Sequence, residues 1–284
     1  MDNTTIALLH PGDMGSAIGG CAVRRGHTVL CALEGRSTSS VNRANAAGMK
    51  NAGDEAAAVR QASVVLSVCP PHGALQLARR VAGFGFKGLF VDANAIAPAT
   101  ARMAAKVIED AGGRFVDGGI VGAPPAPGKP GRIYLSGANA AEVVALFEGS
   151  DVTAIDMQGP VGKASAFKVC YASWTKGTWA LLASIYAVAQ AEGVDDALRA
   201  QWSQTHPDLV KQLDAPSLNP AKAWRWISEM EEISLAYKTA GMPEGFFLAA
   251  ADLYRRLEQY KDDPSKPSID KVSPALRKMS PLQN

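Results

Sequence analysis

The sequence has little of what would place this chain in a membrane or on nucleic acid. Its 29 Lys and Arg residues nearly balance its 27 Asp and Glu residues, and a net charge of +2 gives no signal for nucleic-acid binding. The most apolar stretch, residues 174–189, is interrupted by Lys176 and lacks the flanks of a transmembrane or secretory segment. With 284 residues, 47% of them hydrophobic, the composition indicates a globular chain with an ample core.

Cysteine and histidine are also scarce. The four cysteines, Cys21, Cys31, Cys69 and Cys170, lie in apolar segments at spacings that match neither a metal site nor a redox motif. We therefore expect reduced, buried thiols in a cytoplasmic protein, and no metal site. The four histidines do not form a Ser-His-Asp pattern, and His206 is typical of a helix boundary.

The first forty residues carry the most informative pattern. An apolar strand over residues 6–9 breaks at a glycine turn, and a helical pattern and a second apolar strand over residues 28–33 follow. This arrangement aims backbone N–H groups and a helix dipole at one point, which suits the pyrophosphate of a dinucleotide. An ordinary glycine turn in an α/β protein stays an alternative, because the fingerprint has Gly where this chain has His10. The expected contacts are Gly12, Asp13, Met14 and Gly15.

The two halves of the chain differ in pattern. Over residues 1–158, short apolar runs alternate with helical patterns, which predicts an α/β domain with a doubly wound, Rossmann-type, mainly parallel sheet. Residues 159–284 show only helical periods, which predicts an all-helical C-terminal domain with a long interdomain helix over about residues 163–192. From Asp262 onward, the chain is rich in Pro, Lys and Ser, and we expect a loosely attached extension with one short helix near Pro274.

Four segments occur in the order found in the β-hydroxyacid dehydrogenases. They are residues 12–15, 91–94, 115–122 and 159–168. The chain to about residue 193 resembles this family, which includes 6-phosphogluconate and 3-hydroxyisobutyrate dehydrogenases and, by descent, the imine reductases. The rest resembles a less characterised branch with its own type of helical C-terminal domain.

The resemblance implies that Lys168 is the general acid/base of a hydride transfer between a nicotinamide and a substrate carbinol. A lysine does this work best when burial or nearby positive charge lowers its pKa toward the working pH. Lys163 and Lys176 are candidate cationic neighbours. The alternative is a lysine that extends from a half-buried helix to solvent.

Three family positions for substrate contacts differ here. The family asparagine one turn after the lysine falls on Ala172, the serine that contacts the substrate carboxylate falls on Val121, and a late lysine falls near Glu231. These differences favour a larger, less anionic alcohol or carbonyl as the small-molecule substrate. The candidate substrate residues are Gly119, Ile120, Val121, Gly122, Tyr171 and Trp174.

The end of the second strand bears on the choice of cofactor. Glu34 favours NAD, because an acidic residue there bonds the ribose and repels a 2′-phosphate. Arg36 and Ser37 favour NADP, because a guanidinium and a hydroxyl bind phosphate oxygens. We expect NADP, with NAD as the alternative and a helix cap as the alternative role of Ser37. Further cofactor contacts are expected at strand ends, from Val68, Cys69, Pro70 and Asn94.

The helical half carries all five tryptophans, two of them on the same long helix as Lys168. A helix of about 30 residues is longer than one small helical domain needs, which predicts a homodimer through the helical domain, with a large monomeric core as the alternative. Taken together, the sequence predicts an NADP-dependent dehydrogenase or reductase that acts on CH–OH groups. An imine reductase or reductive aminase-like enzyme and a non-catalytic NADP-binding protein stay open.

Overall fold

The computed structural model describes residues 3–215, 220–265 and 267–278. The chain divides into two compact units, Met1–Val169 and Cys170–Asn284. This division lies inside a helix, whereas the sequence pattern predicted a boundary at residue 158, just before that helix.

The first unit alternates strands with helices, as the sequence pattern predicted. Its strands are β1 (Thr5–Leu8), β2 (Thr28–Cys31), β3 (Lys50–Asn51), β4 (Val64–Ser67), β5 (Leu89–Asp92), β6 (Arg114–Val121), β7 (Gly131–Ser136) and β8 (Val152–Asp156). Its helices are α1 (Asp13–Arg24), α2 (Thr38–Ala46), α3 (Glu55–Gln61), α4 (Ala74–Gly83), α5 (Pro98–Asp110) and α6 (Ala140–Phe147), and α7 (Lys163–Ala172) spans the division.

The strands form one sheet in the order β3-β2-β1-β4-β5-β6-β7-β8. All neighbours are parallel except β6 and β7, which are antiparallel. Strand side chains alternate between two cores: Ile6 and Leu8 pack with Ile18 of α1, whereas Ala7 packs with Leu77 of α4 on the opposite face. The predicted doubly wound, mainly parallel sheet is therefore confirmed. The carboxyl ends of β1, β2, β4 and β5 lie at one edge, where sheets of this kind bind ligands.

The sequence patterns did not predict two of the strands, β3 and β8. β3 consists of two exposed polar residues, and its place in the sheet depends on pairing with β2. β8 lies at the far edge of the sheet, and Val152 is its one fully buried residue. Its sequence therefore lacks the clear alternation of apolar and polar residues that indicates a strand.

The second unit is helical in its described residues. It contains α8 (Thr178–Glu192), α9 (Asp195–Thr205), α10 (Pro207–Asp214), α11 (Ile227–Thr239), α12 (Gly245–Arg256) and α13 (Ile269–Leu276). A π-helical segment, Ser173–Gly177, joins α7 to α8, so the predicted helix over residues 163–192 is continuous but contains one wider, underwound π turn. The core includes Trp179 stacked on Tyr254, with ring centroids 5.4 Å apart.

Two expectations about the helical half and the cysteines are wrong. The tail is not a loose extension where it is described, because Ile269, Val272 and Leu276 of α13 are buried and α13 packs against α8. α13 is the short helix expected near Pro274. Its burial was not predicted, because its three apolar residues, although at helical spacing, stand in a Pro- and Lys-rich segment. Residues 279–284 lie outside the described part of the chain.

Cys170 is exposed rather than buried. Within the described ranges, no helix is long and apolar enough to cross a membrane.

Candidate cofactor and active site

The turn after β1 presents backbone N–H groups to open space. α1 begins at Asp13, directly after Gly12, and no side-chain hydrogen bond from the described residues caps it there. A Cβ placed on Gly12 would meet no atom within 4 Å, whereas a Cβ on Gly15 would lie 2.3 Å from the carbonyl oxygen of His10. Gly15 is therefore required by local packing, and Gly12 leaves open the approach that a pyrophosphate needs. The Met14 side chain packs against the core.

His10 occupies the first glycine position of the dinucleotide fingerprint. Its carbonyl oxygen accepts a hydrogen bond from the N–H of Gly12 at 2.8 Å and so shapes the turn. Burial and the positive charge of Arg36 together lower the pKa of the His10 imidazole to about 4, although the Glu55 carboxylate partly opposes this shift. His10 therefore contributes a neutral ring beside the turn at neutral pH.

Arg36 lies at the carboxyl end of β1. One of its guanidinium nitrogens donates to the carbonyl oxygen of Leu9 at 3.0 Å and lies 3.6 Å from Glu55, which also binds Arg80 at 3.0 Å. These contacts fix the Arg36 head at the edge of the sheet where the predicted adenosine end of the cofactor would lie.

The other residues after β2 have different surroundings. Ser37 caps α2, where its Oγ accepts a hydrogen bond from the N–H of Ser40. This is the alternative role that its sequence context allowed. Glu34 is exposed, and it lines a cavity of about 490 Å³ together with Leu33, Val41, Asn45, Asn51 and Gly53.

A second arginine reaches the glycine turn and was not singled out from the sequence. Nη1 of Arg43, in α2, lies 3.2 Å from a carboxylate oxygen of Asp13, the first residue of α1. A negative charge at this position stabilises the bare helix N-terminus but repels a bound pyrophosphate. Arg43 offsets that charge. No local motif signals this pair, because it depends on how α2 packs against α1.

The ends of β4 and β5 are joined through Asn94. Its amide nitrogen donates to the Ser67 hydroxyl at 2.8 Å, and its amide oxygen accepts from the backbone N–H of Cys69 at 2.6 Å. The Asn94 side chain is buried and so shapes the loop that contains Val68, Cys69 and Pro70. Burial raises the pKa of the Cys69 thiol to about 12, which agrees with a small neighbour rather than a nucleophile.

Lys168 packs directly against the predicted substrate strand. A Cβ on Gly119 of β6 would lie 2.8 Å from Cβ of Lys168 and 3.1 Å from the carbonyl oxygen of Ala164. Lys168 is half-buried in α7, and Val121 is 7% exposed. Ile120 faces the opposite side of the sheet, where its side chain joins the core, so only its backbone is available to a ligand. Gly122 follows with a φ of 99°.

The buried carboxylate of Asp117 joins β6 to the start of α7, and sequence reasoning missed it. Oδ2 of Asp117 accepts hydrogen bonds from the Ser136 hydroxyl at 3.0 Å and from the backbone N–H groups of Gly162 at 2.8 Å and Ser165 at 3.0 Å. Oδ1 accepts from the Ser165 hydroxyl at 2.5 Å. One indication of this role is present in the sequence: Asp117 stands two residues before Gly119 in the same strand.

The remaining candidates lie in the second unit or have partners elsewhere. Tyr171 is 44% exposed, and Trp174, in the π-helical segment, is 73% exposed. Of the two lysines expected as cationic neighbours, Lys176 binds Glu229 at 2.8 Å, and Lys163 donates to the carbonyl oxygen of Gln158. Among the described residues, no group of three or more His, Cys, Asp or Glu side chains could hold a metal ion.

Comparison with known proteins gives matches in both parts of the chain. Residues 5–146, half of the chain, match the NAD binding domain of 6-phosphogluconate dehydrogenase. Residues 189–257 match a domain of unknown function, DUF1932. An uncharacterized 28.5 kDa protein of Methanothermus fervidus is 28% identical over 214 residues, which are 74% of this chain and 82% of that protein.

Solved structures agree with this assignment. A conserved protein of unknown function, described as similar to 3-hydroxyacid dehydrogenases, shares 28% identity and a TM-score of 0.63 over 90% of this chain and 98% of its own. Mycobacterium tuberculosis 3-hydroxyisobutyrate dehydrogenase has 19% identity and a TM-score of 0.68 over 98% of this chain and all of its own. The reductive aminase from Aspergillus terreus, solved with NADPH, has 19% identity and a TM-score of 0.55 over 97% of this chain and all of its own.

The resemblance inferred from the sequence is therefore confirmed, and the uncapped start of α1 beside the open face of Gly12 fits a dinucleotide. The chain belongs to the family built on the NAD-binding domain of 6-phosphogluconate dehydrogenase, here followed by a DUF1932 helical domain.

Proposed function

We propose that this chain is an NADP-dependent oxidoreductase that transfers a hydride between the nicotinamide and an alcohol or carbonyl substrate, with Lys168 as general acid/base. The observation that supports it best is the close packing of Lys168 on Gly119, within the unit that matches an NAD-binding domain. This contact joins the candidate catalytic residue to the candidate substrate strand.

The bound nucleotide supplies the hydride donor or acceptor, and the chain supplies binding and proton transfer. The start of α1 and the turn at Gly12 bind the pyrophosphate. In reduction, the Lys168 ammonium donates a proton to the substrate oxygen as the carbonyl carbon gains the hydride. In oxidation, the neutral Lys168 amine accepts the hydroxyl proton as the hydride leaves.

The surroundings of Lys168 support a substrate with little negative charge. Val121, at the family serine position, is buried and apolar, and Ala172 stands at the family asparagine position. Neither side chain donates a hydrogen bond to a carboxylate. A larger, neutral alcohol or carbonyl compound fits these positions better than a small hydroxy acid.

Arg36 supports NADP over NAD. Its guanidinium is held in place by the Leu9 carbonyl oxygen beside a neutral His10, and an arginine near the end of β2 accommodates a 2′-phosphate. Ser37 contributes by capping α2, the helix that follows Arg36.

An apolar stripe on α8 supports a homodimer through the helical domain. Leu181, Ile185 and Val188 recur at helical spacing, and each is at least 39% exposed. A second copy of the chain would cover this stripe. Light scattering on the purified protein should give the mass of two chains, and Leu181→Glu with Ile185→Glu should give the mass of one. A wild-type mass of one chain would exclude the dimer.

The four free thiols support a cytoplasmic location.

A reductive aminase or imine reductase is the second candidate, since an enzyme of that class shares the fold over nearly the whole chain. A carbonyl panel assayed with NADPH, with and without a primary amine, separates the two. Turnover that requires the amine favours the aminase. NADPH binding without any turnover favours a non-catalytic NADP-binding protein.

The decisive experiment for Lys168 is its replacement by methionine, which keeps the length of the side chain and removes the amine. We expect Lys168→Met to lower kcat by about 10²- to 10⁴-fold on the best substrate of the panel, the range of general acid–base catalysis. The Kd for NADPH should stay within about twofold, because Lys168 is not in the glycine turn. Lys163→Met, an exposed lysine of the same helix, is the matched control. Normal turnover by Lys168→Met would overturn the proposal.

A further inference from the structure

The carboxylate of a strand residue holds the start of α7. Asp117 of β6 is fully buried, and its carboxylate accepts the N–H groups of Gly162 and Ser165 and the hydroxyls of Ser165 and Ser136. The Ser136 hydroxyl in turn accepts the N–H of Ala164 at 3.0 Å. A buried carboxylate is stable at a helix N-terminus, where the backbone N–H groups and the helix dipole compensate its charge. The first turn of α7 is therefore tied to β6 and β7 by buried polar contacts.

The same strand face then reaches Lys168. Residues two apart in a strand share a face, and residues three apart in a helix share a face, so the pair Asp117 and Gly119 matches the pair Ser165 and Lys168. Asp117 bonds Ser165, and Gly119 leaves the space that the Lys168 stem fills, with a notional Cβ only 2.8 Å from that of Lys168. A shift of the first turn of α7 would therefore move Lys168 along β6.

We propose that Asp117 is a positioning residue for Lys168: by holding the first turn of α7 on β6, it sets where the lysine amine stands over the substrate strand. This inference rests on the proposed role of Lys168. It extends the functional set to a residue that contacts neither the cofactor nor the substrate, together with its partners Ser136 and Ser165.

Replacement of Asp117 by asparagine and by alanine distinguishes a positioning role from a purely structural one. An asparagine oxygen still accepts the N–H groups of Gly162 and Ser165, and its amide donates to the Ser165 hydroxyl, which then acts as acceptor. Asp117→Asn should therefore retain kcat within about tenfold of wild type, whereas Asp117→Ala should lower kcat by about 10²-fold or more, as misplacement of a catalytic group by about 1 Å does. The NADPH Kd should change by less than about threefold in both, since the glycine turn is untouched.

The surroundings of the Lys168 amine can also be measured directly, without an activity assay. After reductive methylation with ¹³C-formaldehyde, the dimethylamine signal of Lys168, assigned by its loss in Lys168→Met, reports its surroundings and its titration. We expect that signal to move in Asp117→Ala and to return toward the wild-type position in Asp117→Asn. A residue that only stabilises the fold would lower Tm in proportion in both variants and leave the signal in place.

Ser165→Ala provides a milder variant in case Asp117→Ala does not fold. It removes one hydrogen bond to Asp117 and leaves the carboxylate held by three others, so the fold should persist while the Lys168 signal shifts and kcat falls by about three- to tenfold, as loss of one hydrogen bond implies. An unchanged signal and an unchanged kcat in Ser165→Ala, or in a folded Asp117→Ala, would overturn the inference. If Lys168→Met is inactive in that case, the proposed function stands. If Lys168→Met is fully active, both fail.

Discussion

Gly119 lies directly beneath Lys168, and the packing leaves no room for a methyl group between strand and helix. A Cβ on Gly119 would approach Cβ of Lys168 to 2.8 Å and the Ala164 carbonyl oxygen to 3.1 Å. This glycine is not needed for a left-handed backbone, because its φ is not positive. It is needed for close approach, and it explains why a glycine stands in the middle of a buried strand.

Replacement of Gly119 by alanine should therefore affect both stability and activity. Overpacking of this kind costs about 1–3 kcal/mol of unfolding free energy, and relief of the contact moves α7 and Lys168 away from β6. Urea unfolding and kcat measure the two effects. Gly83→Ala is the control, because Gly83 is an exposed helical residue with no atom within 4 Å of a notional Cβ, and it should leave kcat unchanged. A Gly119→Ala enzyme of wild-type stability and kcat would contradict the close contact.

Arg36→Ala should weaken NADP binding selectively. Loss of a charge-assisted bond to the 2′-phosphate costs about 1.5–3 kcal/mol, so the Kd for NADPH should rise about 10- to 150-fold while that for NADH changes little. Tryptophan fluorescence titration measures both. Arg60→Ala, which removes an exposed arginine of α3, should change neither. An equal loss with both nucleotides would show that Arg36 supports only the structure of the turn, through Leu9 and Glu55.

The pair formed by Asp13 and Arg43 predicts a double-mutant cycle with a defined sign. Arg43→Ala leaves the Asp13 carboxylate unopposed beside the pyrophosphate, so the Kd for NADH and for NADPH should rise by about two- to fivefold, within the range of exposed charge effects at a helix start. Asp13→Asn in the Arg43→Ala background should restore most of that loss. Isothermal titration at low and at physiological salt measures the cycle. A double variant as weak as Arg43→Ala alone would show that Arg43 acts on the cofactor directly rather than through Asp13.

The sequence predicted those features that depend on neighbours in the chain. The strand and helix alternation and the glycine turn follow from local patterns, and the structure confirms them. The Asp117 network could not be predicted this way, because its donors come from Ser136, Gly162 and Ser165, up to 48 residues along the chain. Arg43 was missed for the same reason. The short helix expected near Pro274 is present as α13, but its burial was not predicted, because three apolar residues at helical spacing stand in a segment whose composition is that of a loop.

His10 predicts a pH dependence of stability that its replacement should remove. The pKa of His10 is about 4 in the folded chain and 6.5 in an ordinary environment, so the unfolded chain binds more protons between these values. Stability is therefore full above pH 6.5 and is lost as the pH falls toward 4, by up to about 3 kcal/mol. Urea unfolding of wild type and of His10→Phe at pH 7 and pH 5 measures the difference, with His206→Gln, an exposed helix-boundary histidine, as the control. Wild type should lose more stability than His10→Phe on acidification, and His206→Gln should behave like wild type. Because Arg36 contributes to the lowered pKa, Arg36→Ala should make the acid loss smaller than in wild type; an acid loss that His10→Phe leaves intact would assign it to other groups.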